Sequence, residues 1–554
     1  MKQIEITCTN TQTSHKYPIG TSLMEISKDL NIQMPNMVCG AVVNHQVKEL
    51  SFRIVKTKRV EFIDVSHPDG IRMYIRSLIF VLYASLTEVF PHVSLRVQKG
   101  ISNGYFCELN GFGREIKAED INLIKQEMNA LIQKNIAFIK EGLPTEKAVE
   151  LLVKQGLEEK AQLFEQRGNL FTSLYFLNNL ANYFYGNLLP STGYLSTFDL
   201  VSYYDGLLLR IPKPEKFDEL QEMPEQKKLF AIYQEHKDWA QILNVSSIGN
   251  LNQFTLQKRG GHIIKISEAL HEKKIAEIAN EISSRNGDVK IVLVAGPSAS
   301  GKTTFSKRLS VQLAVNGLQP HQVSLDDYFV DREKTPRDEL GNYDFEALEA
   351  IDVAFFNEQL IKLMNGEEVV LPKFEFIRGR RFMNGDKLQL RQGDILIVEG
   401  IHGMNPNLLP HINNKNTYKI FISALTQISF DEHTHISTAD NRLIRRIIRD
   451  SKYRGYRAAD TIKRWPSVRR GEEKNIFPYQ ENADRMFNSA TLYELAVLKK
   501  NAEPLLKLVL ENEPEYVEST RLLNFLSYFK PLDEDEIPPT SLLREFLGGS
   551  SFVY

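Results

Sequence analysis

The feature that most constrains this chain is a glycine-rich stretch that follows a short apolar run. Residues 291–295 read IVLVA, a pattern typical of a buried strand, and residues 296–303 read GPSASGKT, with a helical pattern behind them. The spacing is G-x-x-x-x-G-K-[ST], in which backbone N–H groups and the positive end of the next helix can hold phosphate oxygens. The sequence therefore predicts a phosphate-binding loop between a strand and a helix.

Each residue type in this loop has a physical role. Gly296 and Gly301 allow backbone conformations and a close approach that a Cβ would block. Lys302 can reach the β- and γ-phosphates, and Thr303 can offer its hydroxyl to Mg²⁺. We predict that the chain binds a nucleoside triphosphate through Gly296, Pro297, Ser298, Ala299, Ser300, Gly301, Lys302, Thr303 and Thr304.

Length and composition limit the remaining choices. A chain of 554 residues is too long for one hydrophobic core, so we expect several domains. The formal net charge of −2 gives no global field for nucleic acid, and the three cysteines are far apart without metal-ligand spacing, which favours a reducing compartment. We find no apolar signal core and no run of 18 apolar residues, so we expect a cytoplasmic protein with no membrane partner.

Residues 1–62 predict a small β-rich module. Residues 17–20 read YPIG and form a turn, Thr21 can cap a short helix over residues 22–30, and residues 42–47 read as a strand. The order of elements in YPIGTSLMEISKDL and GAVVNHQVKEL resembles the TGS domain at the front of threonyl-tRNA synthetases. The resemblance implies a β-grasp fold. Any small ubiquitin-like module, with no particular ligand, would show the same pattern.

Residues 63–214 resemble the second, editing-type α+β domain of the same synthetases, beginning with RSLIFVLYASLTEVFP and NGYF. That domain carries H-x-x-x-H on its first helix and C-x-x-x-H further on. The corresponding residues here are Arg76, Phe80, Phe184 and Leu188. Because none of them can act as an imidazole or a thiol, we expect the editing chemistry to be lost. A structural or oligomerisation module and a retained RNA-binding role both stay open.

Residues 215–287 are charged and predict a helical linker region with a polar, turn-rich stretch over residues 244–257.

Carboxylates follow two later apolar runs. Beyond the loop, Asp326 follows a predicted second parallel strand and Glu399 follows a buried run. Open α/β sheets collect ligands at these strand ends. Between the two carboxylates, the pair Asn384 and Gly385 predicts a hairpin turn.

Four motifs, GPSASGKTT, SLDDYF, PKFEF and LIVEGIHG, together resemble the uridine kinase and phosphoribulokinase family of small-molecule kinases. The resemblance implies a P-loop domain with a doubly wound parallel sheet over residues 288–500, followed by a C-terminal tail or helical extension over residues 501–554. It implies ATP as the phosphoryl donor, Asp326 as the acceptor of the hydroxyl proton, and Glu399 with Thr303 as ligands of Mg²⁺. The catalytic residues would be Asp326, Lys302, Arg442 and Arg446.

Arg442 and Arg446 lie at i,i+4 in the run DNRLIRRIIRD. This run resembles the family's arginine lid over the triphosphate, continued by Arg454 and Arg457. Guanidinium forks suit phosphate oxygens, although a solvated basic helix would show the same spacing.

The acceptor is predicted to contact Phe374, Phe376, Arg378 and Tyr328. In the uridine-specific members of the family, the aromatic-acidic-aromatic run is followed three residues later by a histidine that reads the pyrimidine. Here that residue is Gly379. Arg378 could substitute for the histidine, or the acceptor could differ from a pyrimidine nucleoside.

These observations predict a multidomain α/β enzyme, an ATP-dependent kinase that phosphorylates a hydroxyl of a nucleoside or a related metabolite. We expect a homo-oligomer. Two alternatives stay open, a kinase with a non-nucleoside acceptor such as a sugar phosphate and a regulatory RNA-binding or ligand-sensing protein that uses the nucleotide site as a switch. The set of Lys302, Thr303, Asp326 and Glu399 favours an enzyme, because a switch need not keep a carboxylate that activates an acceptor.

Overall fold

The computed structural model describes residues 2–285, 287–339, 341–376 and 378–553 of this α/β chain. The first sheet has five strands in the order β2-β1-β5-β3-β4, and α1 buries Leu23 and Ile26 against it. Its elements are β1 Gln3–Cys8, β2 Thr13–Pro18, α1 Leu23–Asp29, β3 Gly40–Val43, β4 Gln46–Glu49 and β5 Lys58–Ile63.

Two local predictions in this region are corrected. Helix α1 is capped by Ser22 and not by Thr21, because the Ser22 side chain accepts from the Glu25 N–H at 3.2 Å while the Glu25 carboxylate accepts from the Ser22 N–H at 2.7 Å. The predicted strand over residues 42–47 is a hairpin. Its turn is formed by Asn44 and His45, which both have left-handed backbone angles that a two-residue turn requires.

The second region surrounds a long buried helix, α2, which supplies much of the largest hydrophobic core. Its sheets have the orders β10-β9-β8, β11-β12-β7-β6 and β13-β14. The elements are α2 Pro68–Val89, β6 Ser94–Ile101, β7 Gly104–Asn110, α3 Ala118–Gln133, β8 Ile139–Pro144, α4 Thr145–Lys154, α5 Glu158–Arg167, β9 Phe171–Leu177, β10 Leu180–Asn182, β11 Asp199–Tyr203, β12 Gly206–Arg210, β13 Pro212–Lys213 and β14 Lys216–Leu220.

Three helices connect this region to the next sheet: α6 Lys227–Ile242, α7 Ile248–Leu256 and α8 Gly260–Ser284. The prediction of a turn-rich stretch over residues 244–257 is wrong for α7. Ser247 caps this helix, and Ile248 and Leu251 are fully buried, so tertiary packing overrides its polar composition. Among the described residues, no helix is both long and apolar enough to cross a bilayer.

The third region contains a parallel sheet of five strands in the order β16-β21-β15-β22-β23. Side chains of β15 alternate between a core shared with α10 and a core shared with α8 and α9, so helices cover both faces of the sheet. The elements are β15 Ile291–Ala295, α9 Lys302–Val315, β16 Gln319–Ser324, α10 Val353–Met364, β17 Val369–Val370, β18 Lys373–Glu375, β19 Arg380–Phe382, β20 Lys387–Leu388, β21 Asp394–Glu399, β22 Thr417–Ser423, α11 Thr438–Arg454, α12 Ala458–Asn475, β23 Arg485–Asn488, α13 Glu494–Lys507, α14 Tyr516–Leu526 and α15 Arg544–Leu547.

The predicted turn at Asn384 and Gly385 is wrong. Strands β18 and β19 pair with each other as the hairpin, whereas β17 pairs with β20 outside it. Gly385 lies beside this outer pair, and a Cβ there would come within 2.3 Å of the Leu371 carbonyl oxygen. The glycine is thus explained by close backbone approach and not by a turn.

A buried lysine joins the second region to the third. Lys160 of α5 is excluded from solvent, and its Nζ lies 2.8 Å from Asn182 Oδ1, 2.9 Å from His433 Nδ1 and 3.4 Å from Asp431 Oδ1. Burial raises the pKa of Asp431, and the Lys160 charge opposes that rise. The ion pair needs both Lys160 and Asp431, because either residue alone would leave a charge buried without its counter-charge.

Lys160→Met should therefore destabilise the folded chain by about 3–5 kcal/mol, since it leaves Asp431 without its counter-charge. Lys154→Met is the matched control, because Lys154 forms an exposed pair with Glu150 and should change stability by less than about 0.5 kcal/mol. Denaturant unfolding of both variants measures the difference. Equal midpoints for the two variants would contradict the role given to Lys160.

Candidate active site

The phosphate loop is built from unusual backbone conformations. Gly296 lies against β22, where a Cβ would come within 2.0 Å of the Ile422 carbonyl oxygen. Ala299 and Gly301 have φ values of 58° and 85°, and Gly301 immediately precedes α9. The strand, loop and helix predicted from the sequence are thus present, and the loop lies at the carboxyl end of β15.

Arginines of α11 hold this loop from one side. Arg442 donates to the Ser298 carbonyl oxygen at 3.0 Å, and Arg446 donates to the Ser298 hydroxyl at 3.1 Å. Arg445 donates to the Ala299 carbonyl oxygen at 3.4 Å. The helix that was predicted to cover the triphosphate therefore positions the loop itself.

Two of these arginines belong to buried ion pairs. Arg442 and Glu472 are both excluded from solvent, with Arg442 Nη2 2.7 Å from Glu472 Oε2, and Glu472 also accepts from the Ser298 N–H at 3.0 Å. Arg445 is paired in the same way with Glu494. The predicted placement of Arg442 in a lid is corrected, because both of its terminal nitrogens bind Glu472 or the loop.

Arg449 and Arg454, further along α11, are the arginines whose charges act on Asp326, the predicted catalytic carboxylate. A second carboxylate, Asp450, holds these arginines together with Arg446. Asp450 binds Arg446, Arg449 and Arg454 at 3.2, 3.1 and 3.5 Å. The charges of Arg449 and Arg454 act on Asp326 and oppose the rise in its pKa. Arg457, by contrast, pairs with Glu513 on the surface. Spacing along α11 marks Arg446, Arg449 and Arg454 in the sequence, but it does not tell which of them face the site.

The predicted lysine, threonine and carboxylates converge at the carboxyl edge of the sheet. Thr303 Oγ1 donates to Glu399 Oε1 at 3.0 Å, and Lys302 Nζ donates to the Pro297 carbonyl oxygen at 3.2 Å. Asp326 lies in a single helical turn directly after β16, where its N–H donates to Ser324 Oγ. Glu399 ends β21, the strand between β16 and β15, so both carboxylates are beside the loop.

Burial changes the ionisation of all three charged groups. It lowers the pKa of Lys302 against the opposing charges of Glu399 and Asp326, and it raises the pKa of Asp326 against the charge of Lys302. Burial, with a contribution from the Asp326 charge, also raises the pKa of Glu399 to about 7. Shifted groups gathered at the edge of a sheet are typical of a functional site.

Thr303 and Glu399 offer oxygen atoms, which are the ligands that Mg²⁺ prefers. Over residues 2–285, 287–339, 341–376 and 378–553, no group of three or more His, Cys, Asp or Glu side chains could hold a metal. A magnesium ion that keeps several waters and binds substrate phosphates needs only one or two protein ligands, so the residues present fit this ion.

The predicted acceptor residues divide into two groups. Phe374 and Phe376 have ring centroids 5.2 Å apart, and Phe376 is half exposed with the Arg454 guanidinium 5.7 Å from its ring. Arg378 is exposed and pairs with Glu375. Tyr328 is corrected, because it lies in the hydrophobic core and donates its hydroxyl to Gln359 Oε1 at 2.8 Å.

Gly379 occupies the position predicted for a pyrimidine-reading histidine, and its backbone conformation explains the glycine. Its φ is 66°, and a Cβ would come within 2.8 Å of the Arg332 side chain. Any side chain at Gly379 would therefore be strained. The neighbouring Ile377 lies outside the described residues.

The four residues that the sequence resemblance aligns with editing positions lie in one part of the second region. The Phe80 and Phe184 ring centroids are 5.4 Å apart, and Leu188 is buried in the same core. Arg76 donates to the Asn187 carbonyl oxygen at 3.3 Å, and burial lowers its pKa to about 10. Packed aromatic rings, a leucine and a guanidinium thus occupy these positions.

The N-terminal and C-terminal parts of the chain are similar to different known proteins. Over the N-terminal part, the chain is similar to the threonine–tRNA ligase of Azobacteroides pseudotrichonymphae, with 27% identity over 200 residues, which cover 36% of this chain and 31% of that protein. The enzyme of Thermotoga neapolitana is 25% identical over 192 residues, which cover 34% and 29%. The chain thus spans about a third of the length of the curated relatives it matches.

The loop and the parallel sheet define the third region as a P-loop nucleotide-binding domain. Residues 291–496 match the model of the Phosphoribulokinase / Uridine kinase family, so this part of the chain is a kinase-family domain. A solved structure from Bacillus stearothermophilus, described as a possible uridine kinase, shares 18% identity and covers 36% of this chain and 89% of its own, with a TM-score of 0.24.

The ionisation of Glu399 should be visible in the stability of the chain without nucleotide or Mg²⁺. The folded chain keeps its proton on Glu399 up to about pH 7, whereas the unfolded chain loses it near 4.5, so this group reduces stability as pH rises through that window. Glu399→Gln should be more stable than the native chain at pH 8, by at most about 3 kcal/mol, and equal at pH 4.

Thermal unfolding at both pH values measures this difference. Glu358→Gln, which removes an exposed carboxylate that pairs with Lys362, is the control and should show no gain. A Glu399→Gln variant that is less stable than the native chain at pH 8 would mean that the carboxylate supports the fold.

The full-length chain should not hydrolyse mischarged seryl-tRNA, because Arg76, Phe80, Phe184 and Leu188 offer neither a metal ligand nor a nucleophile. The assay is the release of serine above a control without enzyme. Release at a rate proportional to the amount of chain would contradict the loss of editing chemistry.

Proposed function

We propose that this chain is an ATP-dependent kinase that transfers the γ-phosphoryl group of ATP to a hydroxyl of a small acceptor, a nucleoside or a related metabolite. The observation that carries the proposal is the meeting of Lys302, Thr303, Asp326 and Glu399 at one edge of a parallel sheet. The Glu399 carboxylate binds the Thr303 hydroxyl, whereas the Asp326 carboxylate accepts no hydrogen bond from the described residues. Asp326 is thus free to accept one from an acceptor.

In this function the two carboxylates have different tasks. Asp326 orients the acceptor hydroxyl and accepts its proton as the new bond forms. Lys302 and the loop N–H groups hold the phosphates in line with that hydroxyl, and positioning of this kind supplies most of the catalysis. Thr303 and Glu399 would hold Mg²⁺, which when bound neutralises charge on the phosphates.

A nucleoside acceptor is supported by the surface around Phe374 and Phe376. The half-exposed Phe376 ring lies near the Arg454 guanidinium, so a planar base could stack on the ring beside a hydrogen-bond donor. Arg449 and Arg454 would also suit the phosphate of a sugar phosphate. An ATP-consumption screen over nucleosides, pentose phosphates and amino-acid alcohols separates these acceptors.

For residues 63–214 we propose a scaffold role. The Lys160 cluster ties this region to residues 431–433, just before α11. The residues aligned with the editing positions, Arg76, Phe80, Phe184 and Leu188, carry no imidazole or thiol. A role for the nucleotide site as a switch would be favoured instead if ATP bound but no acceptor in the screen were phosphorylated.

Asp326→Asn should reduce turnover on the best acceptor by about a hundredfold to ten-thousandfold, because it removes the proton acceptor and keeps the size of the side chain. Its affinity for ATP should stay close to native. Asp327→Asn is the matched control, since the Asp327 carboxylate binds Lys373 Nζ and the Phe374 N–H at 2.9 and 3.2 Å. The two variants are compared by steady-state kinetics and ATP titration.

Near-native turnover of Asp326→Asn would remove Asp326 from the reaction. A loss of ATP affinity as large as that of Lys302→Ala would place Asp326 with the nucleotide and not with the acceptor.

A further inference from the structure

Residues 541–549, which we call the C-terminal strap, reach the phosphate loop from the far end of the chain. Glu545 of α15 accepts a hydrogen bond from Thr304 Oγ1 at 2.8 Å and a longer one from the Thr304 N–H at 3.4 Å. Thr304 is the last residue of the predicted phosphate-binding set and lies in the first turn of α9. A carboxylate of the chain itself is therefore placed on the nucleotide site.

The donors that Glu545 uses are the ones a phosphate would use. N–H groups in the first turn of a helix have no partner within the helix, and in a phosphate-binding loop they bind phosphate oxygens. The positive end of α9 favours any anion in this place. A carboxylate satisfies the same donors as a phosphate oxygen and carries the same sign of charge.

Glu545 differs from the other carboxylate that touches the loop. Glu472 also accepts from a loop N–H, but Arg442 neutralises it with both nitrogens of its fork. No Lys, Arg or His nitrogen in the described part of the chain lies within 4 Å of the Glu545 carboxylate. Glu472 thus belongs to the buried framework, whereas Glu545 binds the loop without an ion pair of its own among the described residues.

The charge of Glu545 acts on the catalytic groups. It adds to the charges of Glu399 and Asp326 that support the protonated form of Lys302, and it adds to the influences that raise the pKa of Glu399. Lys302 is therefore already close to the negative charge of Glu545 before any phosphate binds.

The strap is anchored and is not a frayed end. Ser541 donates to Glu268 Oε1 at 2.6 Å, Phe546 is fully buried with the Arg445 guanidinium 5.0 Å from its ring, and Lys452 donates to the Leu547 carbonyl oxygen. Leu542 is buried beside Gly301 of the loop. The strap is thus packed between the loop and the arginine helix α11, which fixes Glu545 in place.

We propose that Glu545 is a built-in competitor of the nucleotide, and that the strap holds the kinase site in an inhibited state until the phosphates of ATP displace this carboxylate. The proposal rests on the function proposed above, because ATP is the ligand with which Glu545 competes. Two anions cannot share the Thr304 donors without repulsion, so either the carboxylate or the phosphate occupies them. Anything that withdraws the strap would increase the affinity for nucleotide.

Glu545→Gln tests this competition in the full-length chain, because it keeps the shape and removes the charge. We expect ATP to bind about tenfold more tightly to this variant at low salt, with the difference shrinking as ionic strength rises. Glu536→Gln is the matched control, since Glu536 lies in the residues that lead into the strap and pairs with Lys265 on the surface at 2.6 Å. Its ATP affinity should equal that of the native chain.

Hydrogen exchange gives a second readout on the native chain. Addition of ATP should increase exchange at residues 541–549, because the phosphates displace Glu545 and loosen the strap. Should Glu545→Gln fail to fold, Glu545→Ala and this exchange experiment keep the test decisive.

The outcomes separate this inference from the proposed function. If ATP binds to native chain and Glu545→Gln with equal affinity, or more weakly to the variant, Glu545 is not a competitor. Unchanged exchange in the strap on ATP binding would also overturn the inference. Absence of ATP binding to both chains would overturn the proposed function, and the inference with it.

Discussion

The buried ion pair between Arg442 and Glu472 is the interaction on which the phosphate loop depends. Each partner binds the backbone of Ser298, Arg442 at the carbonyl oxygen and Glu472 at the N–H. A buried pair of this type adds little net stability, because desolvation offsets the attraction, yet loss of one partner leaves an uncompensated charge and costs about 3–5 kcal/mol. What the pair contributes is position. It holds the loop in one conformation before a ligand arrives, which is the condition for electrostatic preorganisation.

Local pattern was sufficient to predict the strand, loop and helix around Lys302, because the motif and the hydrophobic run lie within about twenty residues. The placement of Asp326 and Glu399 followed from topology, since parallel strands end at a common edge. The burial of Arg442 could not be predicted in the same way. Its partner lies 30 residues away, and a charged residue in a basic run reads as exposed. Glu545 is further still, 241 residues from Thr304, and no local signal connects them.

The site shows a conflict between stability and function. Glu399 is buried close to a second carboxylate, Asp326. Burial and the charge of Asp326 both disfavour the ionised form of Glu399, and its raised pKa reflects this energetic cost. Natural sites keep such arrangements when chemistry needs them, and the packing of surrounding elements offsets them. Here the helices on both faces of the sheet supply that packing. Tyr328, close in sequence to Asp326, lies in the hydrophobic core of the same sheet and donates its hydroxyl to Gln359.

Helix α8 changes where this chain can be divided. The match to the Phosphoribulokinase / Uridine kinase family begins at residue 291, yet Ile275, Ile278 and Ile282 of α8 belong to the hydrophobic core that covers one face of the parallel sheet. A fragment that begins at the start of the similarity would expose that face to water, and an apolar surface of this kind promotes aggregation. The hydrophobic core of the parallel sheet therefore includes α8, which begins at Gly260, whereas the match to the family begins at residue 291. In this chain, the family match and the hydrophobic core have different boundaries.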